Sequence, residues 1–387
     1  MLLVKLICRQ RKSFSIGKDY TNQVSTIVHS DTLFSAICNN IRKLYGNEAL
    51  EDFLDILKGG SKLKLTSCFH YIDIQKEGKY LTTLYFVPKP SIRFPFDKDS
   101  QIFFESNPKL FKKIEFVSFD IIEKLQNGEE LNFSNFVVLD DRYLLDTKNL
   151  QSLGWDKFLE GDFEANRKEF EGINERISVY SITEEQKVAI SRTKKDSIPF
   201  TWPKMTFNVS DYFVWHENNE KTNYTLTPGF YFLIKEDKFP IELMEKVRAA
   251  IILIMDQGIG GNRSLGCGLC DEITVIEGKN FPYHSLIYHQ NSGGYMNLSL
   301  VFPSLNDLKK VKFFNLYDKS GYIYSADTRS QRFNDIKFIK EGAIFTEKVD
   351  GRLVQVASEE FAENVHKVFK NGLGFYVNIG KLEEAEQ

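Results

Sequence analysis

A glycine-rich segment between residues 258 and 268 is the sharpest candidate for chemistry in this sequence. It reads GIGGNRSLGCG. Glycine lets a backbone approach a ligand closely, and exposed N–H groups in such a segment can bind a phosphate. An arginine adds a forked positive charge that suits the same anion. The candidate phosphate-binding residues are Gly258, Gly260, Gly261, Arg263, Ser264, Gly266 and Gly268.

The order of elements around this segment excludes the two common nucleotide-binding motifs. A P-loop ends in Gly-Lys-Ser/Thr, a Rossmann loop has a third glycine where Arg263 stands, and both follow a strand and open a helix. Here a predicted helix comes first and a predicted strand follows. Two interpretations stay open. The segment is either a tight helix-to-strand turn that needs glycine or a phosphate-binding loop.

The start of the first predicted helix is a second candidate anion site. His29 and Ser30 stand there, and the N–H groups at a helix N-terminus favour negative charge. The alternative is an ordinary helix start in which Ser30 or Asp31 is the N-cap.

A basic stretch in the middle of the chain is a third candidate. Arg192, Lys194 and Lys195 are followed by the aromatic residues Phe200 and Trp202. Positive charge beside aromatic rings suits single-stranded nucleic acid. A solvated loop is the alternative.

Catalytic and metal-binding patterns are scarce. None of the six histidines stands in a His-x-x-x-His or His-Glu-x-x-His pattern, and no Gly-x-Ser-x-Gly motif occurs. Cys267 and Cys270 form a single CxxC without a second pair, so we interpret them as structural thiols. We predict no catalytic residue, no metal site and no cofactor.

Two predicted helices and two predicted strands frame a large insertion. Residues 1–8 are predicted to form a strand, residues 30–46 and 241–257 helices, and residues 269–276 a strand, because their apolar residues recur with the period of each element. This arrangement is typical of a split βαβ, ferredoxin-like unit. The insertion runs from about residue 80 to 230.

A second frame follows a polar stretch at residues 277–294, which we take as the domain boundary. The domains would then be residues 1–278 and 279–387. The elements predicted for the second are a strand at 296–302, a short helix at 304–310, a hairpin at 343–349 and 352–357, a helix at 359–370 and a strand at 373–379.

Composition limits the class of protein. The net charge of −3 over 387 residues argues mildly against a free-standing nucleic-acid binder, which needs basic residues. A local basic groove, with partners supplying further charge, remains compatible with it. Five cysteines, an odd number, indicate reduced thiols and a cytoplasmic protein. No apolar run is long enough to span a membrane, and Lys5 interrupts the apolar N-terminus, which predicts that it is not a signal peptide.

Several of these stretches resemble the RAMP (repeat-associated mysterious protein) superfamily. Residues 29–37, HSDTLFSAI, resemble its opening motif, and residues 258–268 resemble its glycine-rich loop. Residues 85–90 (YFVPKP) and 188–193 (VAISRT) are similar to the fourth subunit of the type III-A CRISPR (Csm) effector, as are the C-terminal sequences GYIYS, EGAIF and GLGF. The resemblance spans nearly the whole chain.

The resemblance implies an α+β fold of two ferredoxin-like (RRM-type) domains in tandem, without catalysis. It implies binding to the 5′ handle of CRISPR RNA (crRNA), indirect contact with target RNA, and two protein partners, the large polymerase-like Csm subunit and the neighbouring backbone subunit. A thumb hairpin is expected near residues 80–150. The seven glycine-loop residues would line the RNA, and the next ring of contacts would be His29, Ser30, Arg192, Lys194 and Lys195.

Two other functions are compatible with the sequence. One is a metal-independent CRISPR repeat-RNA endonuclease of the same superfamily, in which His29 acts as general base. The other is a purely protein-binding scaffold, which predicts no contact between RNA and residues 258–268.

Overall fold

The chain folds as a mixture of α-helices and β-strands, and its structure is a computed structural model. The model describes residues 1–9, 12–17, 24–59, 63–106, 108–132, 136–155, 172–190, 197–216, 220–289, 293–323 and 331–381. The helices are α1 (Ser30–Lys58), α2 (Lys98–Ser106), α3 (Pro108–Lys113), α4 (Phe119–Asn127), α5 (Leu150–Leu153), α6 (Ile241–Ile252), α7 (Ile254–Gln257), α8 (His284–Tyr288) and α9 (Glu359–Asn364). Within these ranges, no helix combines the length and the apolar character needed to cross a membrane.

The strands fall into two groups along the chain. Those before residue 280 are β1 (Leu2–Ile7), β2 (Ser13–Phe14), β3 (Leu63–Leu65), β4 (Phe69–Lys76), β5 (Lys79–Pro88), β6 (Phe116–Ser118), β7 (Phe136–Leu139), β8 (Tyr143–Asp146), β9 (Tyr180–Ile190), β10 (Ser197–Phe207), β11 (Ser210–Trp215), β12 (Lys221–Glu236) and β13 (Glu272–Glu277). Those after it are β14 (Tyr295–Asn297), β15 (Val311–Phe313), β16 (Leu316–Lys319), β17 (Tyr322–Ile323), β18 (Gln331–Arg332), β19 (Ile336–Ile339), β20 (Ile344–Phe345), β21 (Gly351–Gln355), β22 (Phe369–Leu373) and β23 (Tyr376–Asn378).

The centre of the largest sheet has the connectivity that the sequence predicts for the first frame. In chain order the elements are β1, α1, β4, β12, α6 and β13, and the strands lie in the order β13-β1-β12-β4 with antiparallel neighbours. Strand β1 is apolar except for Lys5. That ammonium group is tolerated in the sheet because it lies 2.6 Å from the Asp73 carboxylate and 4.1 Å from the centre of the Tyr71 ring.

Helix α1 continues beyond the stop that the sequence predicts at Gly46. Gly46 does leave the helical conformation, with φ 87° and ψ −177°, which a glycine adopts without strain. The helix resumes after this kink because Phe53 and Leu57 are buried in the same core as the first half. Its N-cap is His29 and carries no side-chain cap, so neither Ser30 nor Asp31 caps it.

The insertion holds a long hairpin, but not where the thumb was expected. Residues 79–146 instead extend the large sheet through β5, β6, β8 and β7. The long hairpin is β9 paired with β10, and its distal half is exposed on both faces, with Ile190 80% and Ile198 68% exposed. The strands between residues 79 and 146 thus belong to the large sheet, and the position of the thumb stays a prediction.

The C-terminal region forms a four-stranded sheet in the order β15-β20-β14-β23. The predicted hairpin at 343–357 is wrong, because β20 pairs with β14 and β15 whereas β21 pairs with β22. The predicted helix at 359–370 ends at Asn364. Met296, Ile344 and Val377 belong to the same buried cluster as the N-terminal sheet, so the two halves share one core.

Gly229, opposite Tyr71 in the β12–β4 pair, provides a test of this core. A Cβ at Gly229 would lie 2.6 Å from the Tyr71 hydroxyl oxygen. Gly229→Ala should therefore lower the free energy of unfolding by about 2 kcal/mol through overpacking, measured by urea denaturation. The control is Gly172→Ala, where a Cβ meets nothing within 4 Å. Equal unfolding midpoints for the two variants would contradict the packing described.

Candidate nucleic-acid interface

The glycine-rich segment forms a loop that folds back on β2. Gly258, Gly260 and Gly268 have φ values of 69°, 91° and 80°, in the left-handed region that favours glycine. A Cβ at Gly260 would lie 2.8 Å from the Ser15 carbonyl oxygen, and one at Gly268 would collide with the backbone of Ile259. These glycines are thus required by the loop's own shape and its contact with β2, whether or not a ligand binds.

Several amides of the loop donate hydrogen bonds within the protein. The N–H of Gly261 donates to the carbonyl of Ser15 at 2.7 Å, that of Gly268 to Ser13 at 2.8 Å, and that of Ile259 to Gly268 at 3.0 Å. These groups are not available to a phosphate. The expectation that the loop presents its amides as a bare set is therefore wrong at these positions.

The tip of the loop, residues 261–266, is the part that faces solvent. Arg263 is half-buried, and the exposed members are Gly261, Asn262, Ser264, Leu265 and Gly266. By contrast Gly258 and Gly268 are buried, so their role is to shape the loop. A nucleic-acid contact by the tip stays a prediction.

A cleft of about 700 Å³ opens beside the loop, and we call it the α1 cleft. It is lined by α1 from Thr32 to Lys58, by C-terminal residues from β17 to β22, and by the glycine loop. The loop contributes Gly258, Ile259, Gly260 and Arg263. The cleft therefore brings the predicted loop next to a part of the chain about a hundred residues further on.

Cationic side chains outnumber carboxylates along the α1 cleft. The cations are Arg42, Lys58, Arg263, Lys367 and Lys370, against Glu51 and Asp55. Aromatic rings line it as well: Tyr322, Phe333 and Phe369. Tyr322 is 72% exposed. Cations beside an exposed ring suit single-stranded nucleic acid. No local sequence pattern marks the C-terminal members of this set.

His29 and Ser30 are buried, contrary to the expectation that they contact RNA. The His29 ring is 1% exposed, and its Nδ1 lies 2.9 Å from Oε1 of Glu341. The N–H of Ser30 donates to the Ser67 hydroxyl at 2.8 Å, and the Ser30 hydroxyl accepts from the N–H of Leu300 at 3.0 Å. Both residues join α1 to the C-terminal region.

Glu341 is the buried acceptor of this contact. Burial is the largest single influence and raises the pKa of its carboxyl group, but the interactions with His29 and the hydrogen bond from Ser67 together lower it, so that the pKa lies below its ordinary value of 4.5. The Glu341 carboxylate is therefore ionised and bonded at neutral pH. A histidine held in this way cannot reach a ribose hydroxyl, so His29 is not positioned to act as a general base.

Asp31 forms a second buried ionic contact between α1 and the C-terminal region. Its Oδ2 lies 3.2 Å from the ammonium group of Lys319 and 3.6 Å from that of Lys370. Burial alone would raise the pKa of Asp31. The two lysines and His29 together lower it by more, so that the pKa lies below its usual value. Lys370 also lines the α1 cleft, so this contact joins the wall of the cleft to the start of α1.

Arg192, Lys194 and Lys195 lie outside the described residues, between β9 and β10. The described base of the hairpin carries Trp202 between two lysines. The ammonium groups of Lys187 and Lys204 lie 3.5 Å and 4.4 Å from the centre of a Trp202 ring. The basic and aromatic pattern of this stretch therefore continues onto the described part of the hairpin.

The cysteines are buried in the core or against it. Cys8, Cys68, Cys267 and Cys270 are buried free thiols. Burial raises the pKa of Cys270 to about 12, so this thiol stays protonated at neutral pH. Across the part of the chain that the structure describes, no three His, Cys, Asp or Glu residues are grouped to hold a metal ion.

Comparison with known proteins places the chain in a family. Residues 16–271 match the family model of the RAMP superfamily. The chain belongs to this superfamily. Residues 290–379 match the model of the CRISPR Csm4 C-terminal domain. The family resemblance seen in the sequence is thus confirmed.

Similar proteins point to the same subunit. A relative from Methanocaldococcus jannaschii, CRISPR system Cms protein Csm4, is 27% identical over 371 residues, which cover 89% of this chain and 85% of the relative. A chain in the crystal structure of a Csm3-Csm4 subcomplex of the type III-A CRISPR-Cas interference complex is 23% identical, with a TM-score of 0.61 and 98% and 99% of the two chains covered. A chain in the crystal structure of a Csm1-Csm4 cassette in complex with cA4 is 17% identical, with a TM-score of 0.53 and 99% of each chain covered. These structures share the fold of this chain.

The buried contact of Glu341 predicts a specific acid dependence. Because its pKa is lower in the folded protein than the ordinary 4.5, the stability that it contributes is present above pH 4.5 and is lost as the pH falls through the lowered pKa. Glu341→Gln should cost about 3 kcal/mol at neutral pH and should flatten the loss of stability below about pH 5.

The measurement is chemical unfolding at several pH values. The matched control is Glu347→Gln, which removes an exposed carboxylate that pairs with Lys310 and should cost less than about 0.5 kcal/mol. An unchanged pH dependence in Glu341→Gln would refute the assignment.

Proposed function

We propose that this chain is a non-catalytic RNA-binding subunit of a cytoplasmic type III-A CRISPR (Csm) effector, and that it anchors the 5′ handle of crRNA in the α1 cleft. The RAMP family membership, the match to the Csm4 C-terminal domain and the similarity to a Csm4 protein support this assignment. In antiviral defence it would connect the large polymerase-like subunit to the backbone subunits, and target RNA would be contacted indirectly.

The observation that carries the proposal is the position of the loop tip. Arg263 stands in the exposed tip and also lines the cleft, where Arg42 and Lys367 add positive charge and Tyr322 an exposed ring. A guanidinium group binds a phosphate through paired hydrogen bonds. The tip and the cleft together would hold the sugar-phosphate backbone, and Tyr322 would stack on a base.

The net charge of −3 is compatible with this role. Phosphate contacts need cations only along the path of the RNA, and five cationic side chains line the α1 cleft. Other subunits of the complex would provide the remaining positive charge around the handle. A matching chain with this fold occurs in crystal structures of a Csm3-Csm4 subcomplex and of a Csm1-Csm4 cassette. These structures support proteins equivalent to Csm3 and Csm1 as the partners of this chain.

We interpret the chain as two ferredoxin-like (RRM-type) domains, residues 1–278 and 279–387. The strand order β13-β1-β12-β4 is the fourth, first, third and second strand of the N-terminal unit. The C-terminal sheet has the order β23-β14-β20-β15, which is likewise the fourth, first, third and second strand of its unit. A 3-10 helix at Leu305–Lys310 and helix α9 occupy the two crossovers, which supports a shortened second copy of the same unit.

The long β9–β10 hairpin is our candidate for the thumb that reaches along the RNA. Its distal strands are exposed on both faces, as expected of an arm that is covered only in a complex. The basic residues Arg192, Lys194 and Lys195 stand between its two strands in the sequence and remain predicted RNA contacts.

The position of His29 argues against the endonuclease alternative. His29 is buried and paired with Glu341, whereas a general base must reach the hydroxyl proton that it removes. We expect no metal-independent cleavage when the purified chain is incubated with precursor repeat RNA. Cleavage that His29→Ala abolishes would instead establish the enzyme.

Arg263→Ala tests the anchoring role. In reconstituted complexes the variant should bind the handle about tenfold more weakly, the effect of one lost charge-assisted phosphate contact, and should leave the crRNA 5′ end open to nuclease. The slope of the logarithm of the binding constant against the logarithm of the salt concentration should become shallower by about one. Filter binding at several salt concentrations and 5′-end protection are the measurements.

The matched control for this test is Arg93→Ala, which removes an exposed arginine that pairs with Glu105 outside the α1 cleft. It should bind like the wild type. Wild-type crRNA retention by Arg263→Ala would reject the proposed anchoring role.

A further inference from the structure

Ser15, the residue that follows β2, joins two functional elements that are far apart in the sequence. Its hydroxyl oxygen accepts a hydrogen bond from the indole N–H of Trp202 at 3.2 Å and one from the side-chain amide of Asn262 at 3.0 Å. Its carbonyl accepts from the N–H of Gly261 at 2.7 Å. Trp202 lies on β10, at the base of the long hairpin, whereas Gly261 and Asn262 lie in the loop tip.

Strand β2 itself forms the seam between the hairpin and the loop. Ser13 and Phe14 pair with Thr206 and Met205 of β10. On the loop side, the N–H of Gly268 donates to the Ser13 carbonyl at 2.8 Å. Backbone pairing thus places the two elements side by side, and the Ser15 hydroxyl is the side-chain group that binds both.

Both donors are already oriented toward Ser15. Trp202 is 7% exposed and is held between the ammonium groups of Lys187 and Lys204. Asn262 has φ 54°, a left-handed conformation that asparagine tolerates better than most residues. Since both donors are held in place, the Ser15 hydroxyl links Trp202 to the loop tip in addition to the backbone pairing.

We infer that Ser15 is a positioning residue that fixes the loop tip, and with it Arg263, against the base of the β9–β10 hairpin. It acts through Trp202 and Asn262 and does not contact RNA itself. The coupling is a property of the isolated chain. Only its consequence for crRNA rests on the proposed function, in which the tip and the hairpin bind successive parts of one strand and must keep a constant separation.

Hydrogen exchange of the full-length chain, followed by mass spectrometry, tests the coupling. Ser15→Ala should speed amide exchange about fivefold in peptides from both 258–268 and 197–207, the effect of losing one or two ordinary hydrogen bonds. The unfolding midpoint should stay within error of the wild type. Faster exchange in only one of the two segments would overturn the inference.

The matched control is Ser304→Ala. Ser304 is also half-buried, and its hydroxyl donates to Asp307 at 2.6 Å, remote in sequence from the loop and the hairpin. It should leave exchange in both segments unchanged. An effect as large as that of Ser15→Ala would show a nonspecific loss of stability and overturn the inference.

Single removal of each donor separates positioning from local stability. Trp202→Phe keeps a ring between the lysines but has no N–H, and Asn262→Gly keeps the left-handed backbone without the amide. Each should loosen both segments, and each should add little to Ser15→Ala, because all three break the same chain of contacts. Effects that stay in the mutated segment and add in the double variants would reject the coupling.

Reconstituted complexes distinguish this inference from the proposed function. Ser15→Ala should weaken 5′-end protection several-fold, less than Arg263→Ala does. If Arg263→Ala weakens protection and Ser15→Ala does not, the positioning role is overturned. If Arg263→Ala itself protects fully, the proposed function fails, and hydrogen exchange still decides the coupling of loop and hairpin.

Discussion

The buried contact between the start of α1 and the C-terminal region is the interaction on which the α1 cleft depends. Glu341 is ionised in the core because His29 and Ser67 bond its oxygens, and Asp31 is ionised because two lysines lie against it. Removing one partner of such a buried pair leaves an uncompensated charge. The contact therefore fixes where the C-terminal strands lie along α1, and the cleft is the space left between them.

The glycine loop shows how a structural requirement and a functional one share a short sequence. Close approach to Ser15 and Ile259 and left-handed φ values account for Gly260 and Gly268 without any ligand. The same folding commits several amides to internal hydrogen bonds. What remains for a ligand is the exposed tip, so that under the proposed function binding there would depend more on Arg263 and on the cleft beside it than on the number of glycines.

Charge is divided between separate surfaces of the molecule. The chain is acidic in total, yet most of the charged side chains that line the α1 cleft are cationic, and lysines flank the tryptophan at the base of the hairpin. Such a division lets an acidic protein bind a polyanion along one path while the rest of its surface repels it.

The sequence by itself determined β1, the first half of α1, α6, β13 and the glycine loop between α6 and β13, because the period of apolar residues and the conformational freedom of glycine are local properties. It also determined the family. Only the tertiary structure decided that His29 is buried, that its partner is Glu341, 312 positions away, and that Ser15 meets both Trp202 and Asn262. The reason is physical: a buried polar group must find a hydrogen-bond partner, but local sequence does not say which distant segment supplies it.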